Sequence, residues 1–300
     1  MSFNPFSLDN ETDYRNWRTR KLENYPSRAE DLVVKIKDPR TLTPAEHEAI
    51  LERCRKTNMA IYVSDAAHEQ DKEITRQLGH QFGLHRLDRN MLADDDGITS
   101  LAVHALGEHQ HYIPYTNRPI KWHTDGYYNP RERQIWGLQL HCVCNAASGG
   151  DNGLMDHEIA YILLRDANPE HIRALMEPDA MAIPARMDED GIARPDEVGP
   201  VFSLHTSSGD LHMRYTARTR SIRWKQSAEV QAAVACLEQV LNSDSPYIFR
   251  ATLAPGMGLI CNNVLHDRSG FSDDGECKRL LYRARYYDRI AGTEVGTVYG

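Results

Sequence analysis

In "KWHTDGYYNP", residues 121–130, a histidine and an aspartate stand two apart, with a tryptophan before them and two tyrosines after. Side chains in a strand alternate, so His123 and Asp125 would point to the same side. An imidazole nitrogen and a carboxylate oxygen on one side can grip one side of a metal ion. One further histidine would complete the facial triad of two histidines and a carboxylate, which leaves three positions of an octahedral iron(II) open. The pair alone is weak, because a chain with 14 histidines and 43 acidic residues contains such spacings by chance. The competing reading is a polar strand edge.

The far end of the chain changes that balance. In "PGMGLICNNVLHDRSGF", His266 closes an apolar, strand-like run that starts after a Pro-Gly turn. In "KRLLYRARYY", strand alternation puts Arg279, Leu281, Arg283 and Arg285 on one face. Three arginines on an otherwise apolar strand are costly in a core, so that face should meet anions or solvent. A solvated sheet face is one reading. The other is a carboxylate clamp, with Arg279 offering its planar fork to a dicarboxylate.

Taken in order and spacing, "WHTDG", "SGGDN", "NNVLH" and "KRLLYRA" resemble the taurine dioxygenase-like family of iron(II)/2-oxoglutarate-dependent oxygenases. The likeness spans roughly residues 30–290. It implies a mostly β fold with flanking helices, a distorted double-stranded β-helix or jelly roll, with iron at one mouth. His123, Asp125 and His266 would hold the iron and so carry catalysis. Arg279 would take the distal carboxylate of 2-oxoglutarate, and Arg283 would lie near its other carboxylate or the substrate. Family members often have a threonine after "GGD"; Asn152 stands there, and its amide can donate the same hydrogen bond. The implied reaction consumes 2-oxoglutarate and O2, releases succinate and CO2, and oxidises a C–H bond of a small molecule, hydroxylation being the ordinary outcome. Asp125 fills the position that halogenases of this kind leave open for chloride, so oxygenation or desaturation is expected.

Two rivals stand beside this. A jelly-roll hydrolase or isomerase could use the same site for zinc or manganese without 2-oxoglutarate, and would not need Arg279. A ligand-sensing jelly roll would need no chemistry at all. Tyr127, Tyr128 and Asn129 follow the metal motif and either line a substrate pocket or pack in the core. "RYTARTRSIRW" (214–224) is basic within an acidic chain; Arg218, Arg220 and Arg223 either bind an acidic substrate or form surface ion pairs. His109 and His111 have ligand spacing, but a supporting or surface role fits them better. The six cysteines form no CxxC; Cys142 and Cys144 share a strand face, yet reduced thiols of a cytoplasmic protein are the simpler reading.

Elements must hold these residues in place. "DLVVKIKD" (31–38) and "MAIYVSD" (59–65) read as strands. "TPAEHEAILERCRKT" (43–57) reads as a helix, with Thr43 as N-cap, Pro44 in the first turn and Glu46 completing a capping box. A second helix covers 71–83 and ends at a glycine. "QIWGLQLHCVC" (134–144) reads as a half-buried strand, with Trp136, Leu138, Leu140, Cys142 and Cys144 inward and Gln139 and His141 outward. "SGGDNG" (148–153) is a turn, and 156–176 is two helices broken at Pro169. Residues 184–200 are an acidic loop, either lid or solvated excursion, and 227–243 is an amphipathic helix. Residues 255–266 are a turn then a strand, and 279–288 another strand. The whole reads as one domain, 1–300, with N-terminal helix and strand elements (1–97) packed on a jelly-roll core (98–290).

Composition bounds the partners. Of 300 residues 41% are hydrophobic and 26% charged, and the formal charge of −8 argues against nucleic acid or an anionic membrane. No apolar run is long enough to span a membrane, and the polar, acidic N-terminus does not read as a signal peptide. A small-molecule substrate is expected; assembly into a homo-oligomer stays open.

Overall fold

The computed structural model describes residues 3–89, 96–103, 113–188, 191–218, 222–274 and 278–300. Its centre is two sheets. The larger runs Val33–Lys35, Met59–Val63, Met257–Cys261, Gly137–Cys144, Leu280–Tyr286, Thr99–Leu101. Its first pair is parallel and the rest antiparallel. The smaller sheet runs Phe249–Ala251, Asn152–Met155, Leu265–Arg268, Ile120–His123, all antiparallel.

Apolar alternation assigns the faces. Leu138, Leu140, Cys142, Leu259, Cys261 and Leu281 of the larger sheet meet Leu154 and Phe249 of the smaller one. The other face of the larger sheet, with Tyr62, Ile260, Tyr282, Ala284 and Tyr286, packs on Ile50, Leu51 and Cys54 of the helix Pro44–Thr57 and Leu78 of the helix Glu73–Gln81. On the far side of the smaller sheet, Trp122, Met155 and Leu265 meet the helices His157–Ala167, Pro169–Leu175 and Ala228–Leu241. The order is helices, sheet, sheet, helices.

The helix starts follow their caps. Thr43 and Glu46 form the capping box with Pro44 in the first turn, and Asn168 caps the helix that begins at Pro169. The helix Glu11–Leu22 has no counterpart in the sequence reading. It is polar along most of its length, but buries Tyr14, Trp17 and Lys21. Burial opposes the charge of Lys21, but ion pairs to Asp156 at 2.8 Å and Glu158 at 2.6 Å outweigh it and raise its pKa.

Three other expectations need correction. The strand Gly137–Cys144 is buried on both faces: Gln139 meets the Tyr286 hydroxyl at 2.7 Å, and His141 meets that of Tyr62 at 2.9 Å. Its polar residues face helices, not water. Residues 184–200 are not a structureless loop but carry the paired strands Arg186–Asp188 and Gly191–Arg194, then Glu197–Gly199. His266 does not end the strand that starts at 257; that strand ends at Cys261 and His266 lies in the next one, in the other sheet.

Candidate metal centre and its arginine face

His123 ends the strand Ile120–His123, and His266 lies directly opposite it on the neighbouring antiparallel strand. Opposed residues share a face, so the two rings come to 4.2 Å between centroids. Asp125 lies two residues beyond the strand end, with Oδ1 3.8 Å from His123 Nε2. One ligand atom from each of the three residues falls within 4.8 Å of the others.

The backbone orients both imidazoles. His123 Nδ1 is 2.9 Å from Lys121 O, and His266 Nδ1 is 2.9 Å from Val264 O. A carbonyl can only accept, so each Nδ1 carries a proton, which leaves Nε2 as the ring position that faces a ligand. Burial, together with the neighbouring His266, pushes the His123 pKa down to about 3, which keeps the ring neutral at pH 7. Burial also pushes the Asp125 carboxyl up, but Arg283, Arg285 and the two histidines outweigh it and hold Asp125 below the usual carboxylate range. Its Oδ2 is buried without a hydrogen-bond partner among the described residues. Two imidazoles oriented by carbonyls, beside a buried carboxylate oxygen without a partner among the described residues, fit a divalent cation.

Asn263 joins the two ligand-bearing segments. Its Oδ1 accepts from Asp125 N at 2.8 Å, and its Nδ2 donates to Asp125 O at 2.9 Å and Ile135 O at 2.7 Å. It is left-handed, φ 47°, where the chain passes from one sheet to the other. Gly126, at φ 68°, leaves no room for a side chain: a Cβ there would run into Ile135.

The arginine face is only partly as expected. Arg279 precedes the strand Leu280–Tyr286, and a register shift falls between Leu280 and Leu281. Arg279 is 6% exposed, its guanidinium 5.0 Å from the Phe271 ring centroid, and among the described residues no carboxylate is within ion-pairing distance. Burial lowers its pKa. Arg268 lies 4.8 Å from the same ring and donates to Thr116 O at 2.7 Å and Arg118 O at 2.6 Å. Burial, with Arg279 adding, brings the Arg268 pKa down to about 9. Two buried guanidiniums flank one ring with no anion of the described protein between them, which suits a bound carboxylate. The "SGG" turn builds the wall: Ser148–Gly149 pairs with Phe271–Ser272.

The model of the taurine catabolism dioxygenase TauD, TfdA family matches residues 18–285. The chain belongs to this family. It is 32% identical over 170 residues to a uridine-5'-phosphate dioxygenase of Amycolatopsis sp, covering 55% of this chain and 60% of that one. It is 30% identical over 197 residues to a uridine-5'-phosphate dioxygenase of Streptomyces sp, covering 64% and 70%. The chain thus spans about three fifths of the first relative. Among solved structures, PvcB, an iron, α-ketoglutarate-dependent oxygenase from an isonitrile synthetic pathway, superposes with a TM-score of 0.54, at 14% identity, over 85% of each chain.

Other candidates in this TauD, TfdA family member divide. Arg283 Nη1 is 3.5 Å from Asp125 Oδ1. Arg285 turns to neither anion site nor solvent: it is buried, ion-paired to Asp88, and donates to the Tyr128 hydroxyl at 2.8 Å. Tyr127 is buried edge-on to Tyr128 at 5.2 Å. Asn129 Nδ2 donates to Arg133 O at 2.9 Å and so closes a turn. Asn152 Nδ2 lies 3.4 Å from both Gly150 O and Ala251 O. Arg223 pairs with Asp196 at the surface. Arg220, His109, His111 and Cys277 lie outside the described residues. Sequence reasoning gave no role to Asn263, Arg268 or Asp88; for the first, the signal was present in "NNVLH", whose second asparagine suits a left-handed turn.

Proposed function

We propose that this chain is an iron(II)- and 2-oxoglutarate-dependent dioxygenase, folded as one domain around a distorted double-stranded β-helix. The carrying observation is the trio His123, Asp125 and His266: two imidazoles with Nδ1 tied to carbonyls, and a buried carboxylate oxygen without a hydrogen-bond partner among the described residues. These three residues would hold iron, and Arg279, backed by Arg268, would take the distal carboxylate of 2-oxoglutarate. Asn152 is the further candidate for a hydrogen bond to it. Iron and 2-oxoglutarate held there would supply, with O2, the oxidation of a substrate C–H bond, 2-oxoglutarate being converted to succinate and CO2.

The chain's own part is positional. Lys121 O and Val264 O orient the imidazoles; Asn263 holds the Asp125 backbone; Arg283 keeps Asp125 ionised. The wall of Phe271 and the paired strands beside it keep water from the carboxylate clamp. The names of the two relatives bring a substrate class to this chain, a nucleoside monophosphate. Tyr127 and Tyr128, just past the metal motif, are candidates to line its site.

A hydrolase or isomerase on the same trio would leave the Arg268–Arg279 pair unexplained. Anaerobic addition of iron(II) and then 2-oxoglutarate should produce a visible metal-to-ligand absorption band, and O2 should then release succinate. No band and no oxygen-dependent succinate, from protein that binds metal, would sink the proposal in favour of that rival.

A further inference from the structure

The strand that carries His123 has a second neighbour. Thr124 N donates to Tyr215 O at 3.0 Å, Ala217 N donates to Trp122 O at 2.8 Å, and His123 stands opposite Thr216. Opposed residues face the same way, and alternation brings the side chain two further on to that side. That side chain is Arg218.

The other described arginines of the basic stretch have partners. Arg214 donates to Met181 O at 3.1 Å and Glu197 O at 3.0 Å, and Arg223 pairs with Asp196 at 2.6 Å. The Arg218 guanidinium is half-buried and has no ion pair or hydrogen bond among the described residues. It lies within electrostatic reach of both the His123 ring and the Tyr127 hydroxyl. Arg194 adds a second cation 5.8 Å from the Tyr128 ring centroid. A half-buried guanidinium beside the metal trio, without a partner among the described residues, is available to an anion that enters the site.

Resting on the reading of the site above, we infer that Arg218 binds the anionic group of the primary substrate, an oxyanion such as a phosphate ester or sulfonate, while the rest of that substrate packs against Tyr127 and Tyr128. This places the substrate anion on the His123 side of the centre, apart from the Arg268–Arg279 pair that takes the cosubstrate. Anion recognition by one guanidinium would also select against the neutral analogue.

The test uses the full chain loaded anaerobically with iron(II) and 2-oxoglutarate, with the absorption band recorded for each protein as the check that the centre is assembled. Uridine 5'-phosphate, uridine, taurine and inorganic phosphate are titrated into wild type, Arg218→Gln and Arg218→Lys by calorimetry. Wild type should bind one organic anion, the phosphate ester or the sulfonate, about 10- to 100-fold more tightly than uridine. Arg218→Gln should erase that preference and Arg218→Lys retain part of it. Which anion wins identifies the oxyanion. The inference falls if Arg218→Gln binds every anion as wild type does, or if wild type shows no preference for an organic anion. A wild type without the band sinks the reading of the site itself.

Discussion

Arg279 and Arg285 lie six residues apart on one stretch of chain, and their surroundings predict opposite losses. Arg279 is a buried cation without an ion pair among the described residues, Asp273 meeting only its backbone N at 3.1 Å, whereas Arg285 neutralises the buried Asp88. Arg279→Ala should leave stability unchanged or raised, and weaken 2-oxoglutarate binding by roughly two to four orders of magnitude. Arg285→Ala should instead cost roughly 1.5–3 kcal/mol of stability, because buried Asp88 loses its buried cation and keeps only Arg133, at 3.2 Å, and the Tyr287 hydroxyl, at 2.6 Å. Urea unfolding and 2-oxoglutarate titration of both variants check this, and a stability loss confined to Arg279→Ala would reverse the assignment. The grouping of His123, Asp125 and His266 was legible because the resemblance added His266 to a pair whose spacing alone is weak. The fate of Arg285 was not, since its partner Asp88 comes from a stretch with no periodic pattern, brought beside it only by the fold.

Between elements, the informative place is the turn from Met257–Cys261 to Leu265–Arg268. Read as sequence, it continues one apolar strand. In the structure it carries the chain from the larger sheet to the smaller one: the pairing with Gly137–Cys144 stops at Cys261 opposite Leu138, and His266 meets His123. Apolar runs do not show where a strand changes sheets, because both sheets present an apolar face there. Asn263 makes the crossing and ties it to Asp125. Asn263→Gly keeps the left-handed backbone accessible and removes only the side-chain bonds. Iron affinity should fall about 10- to 100-fold, as for other groups that orient metal ligands. Far-ultraviolet circular dichroism should be unchanged, and equal iron affinity in the variant would make the asparagine merely a turn residue. The strand Gly137–Cys144 was misread for a related reason: helices supply the second burial, and they are remote in sequence.

At the scale of the molecule, several imidazoles are stored neutral. Burial brings His141 down to about 4 and His212 to about 3, from an ordinary value near 6.5. Both lie away from the metal trio; His141 faces Tyr62, and His212 meets Ile135 O at 3.2 Å. Between pH 6.5 and about 4 the unfolded chain binds protons at these positions and the folded one does not. Stability is therefore complete above pH 6.5 and is lost as pH falls through that window. Each such group contributes a slope of at most about 1.4 kcal/mol per pH unit. His141→Gln keeps a polar partner for the Tyr62 hydroxyl but removes one titrating site. Its unfolding free energy should be lower than wild type at pH 7.5, since the packing is changed. Between pH 6 and 5, however, it should fall less steeply, by about 1.2 kcal/mol per unit. Urea unfolding of both proteins at half-unit steps measures the two slopes. Parallel profiles would mean that His141 takes up its proton in the folded state, and that the buried layer between the larger sheet and its helices admits charge.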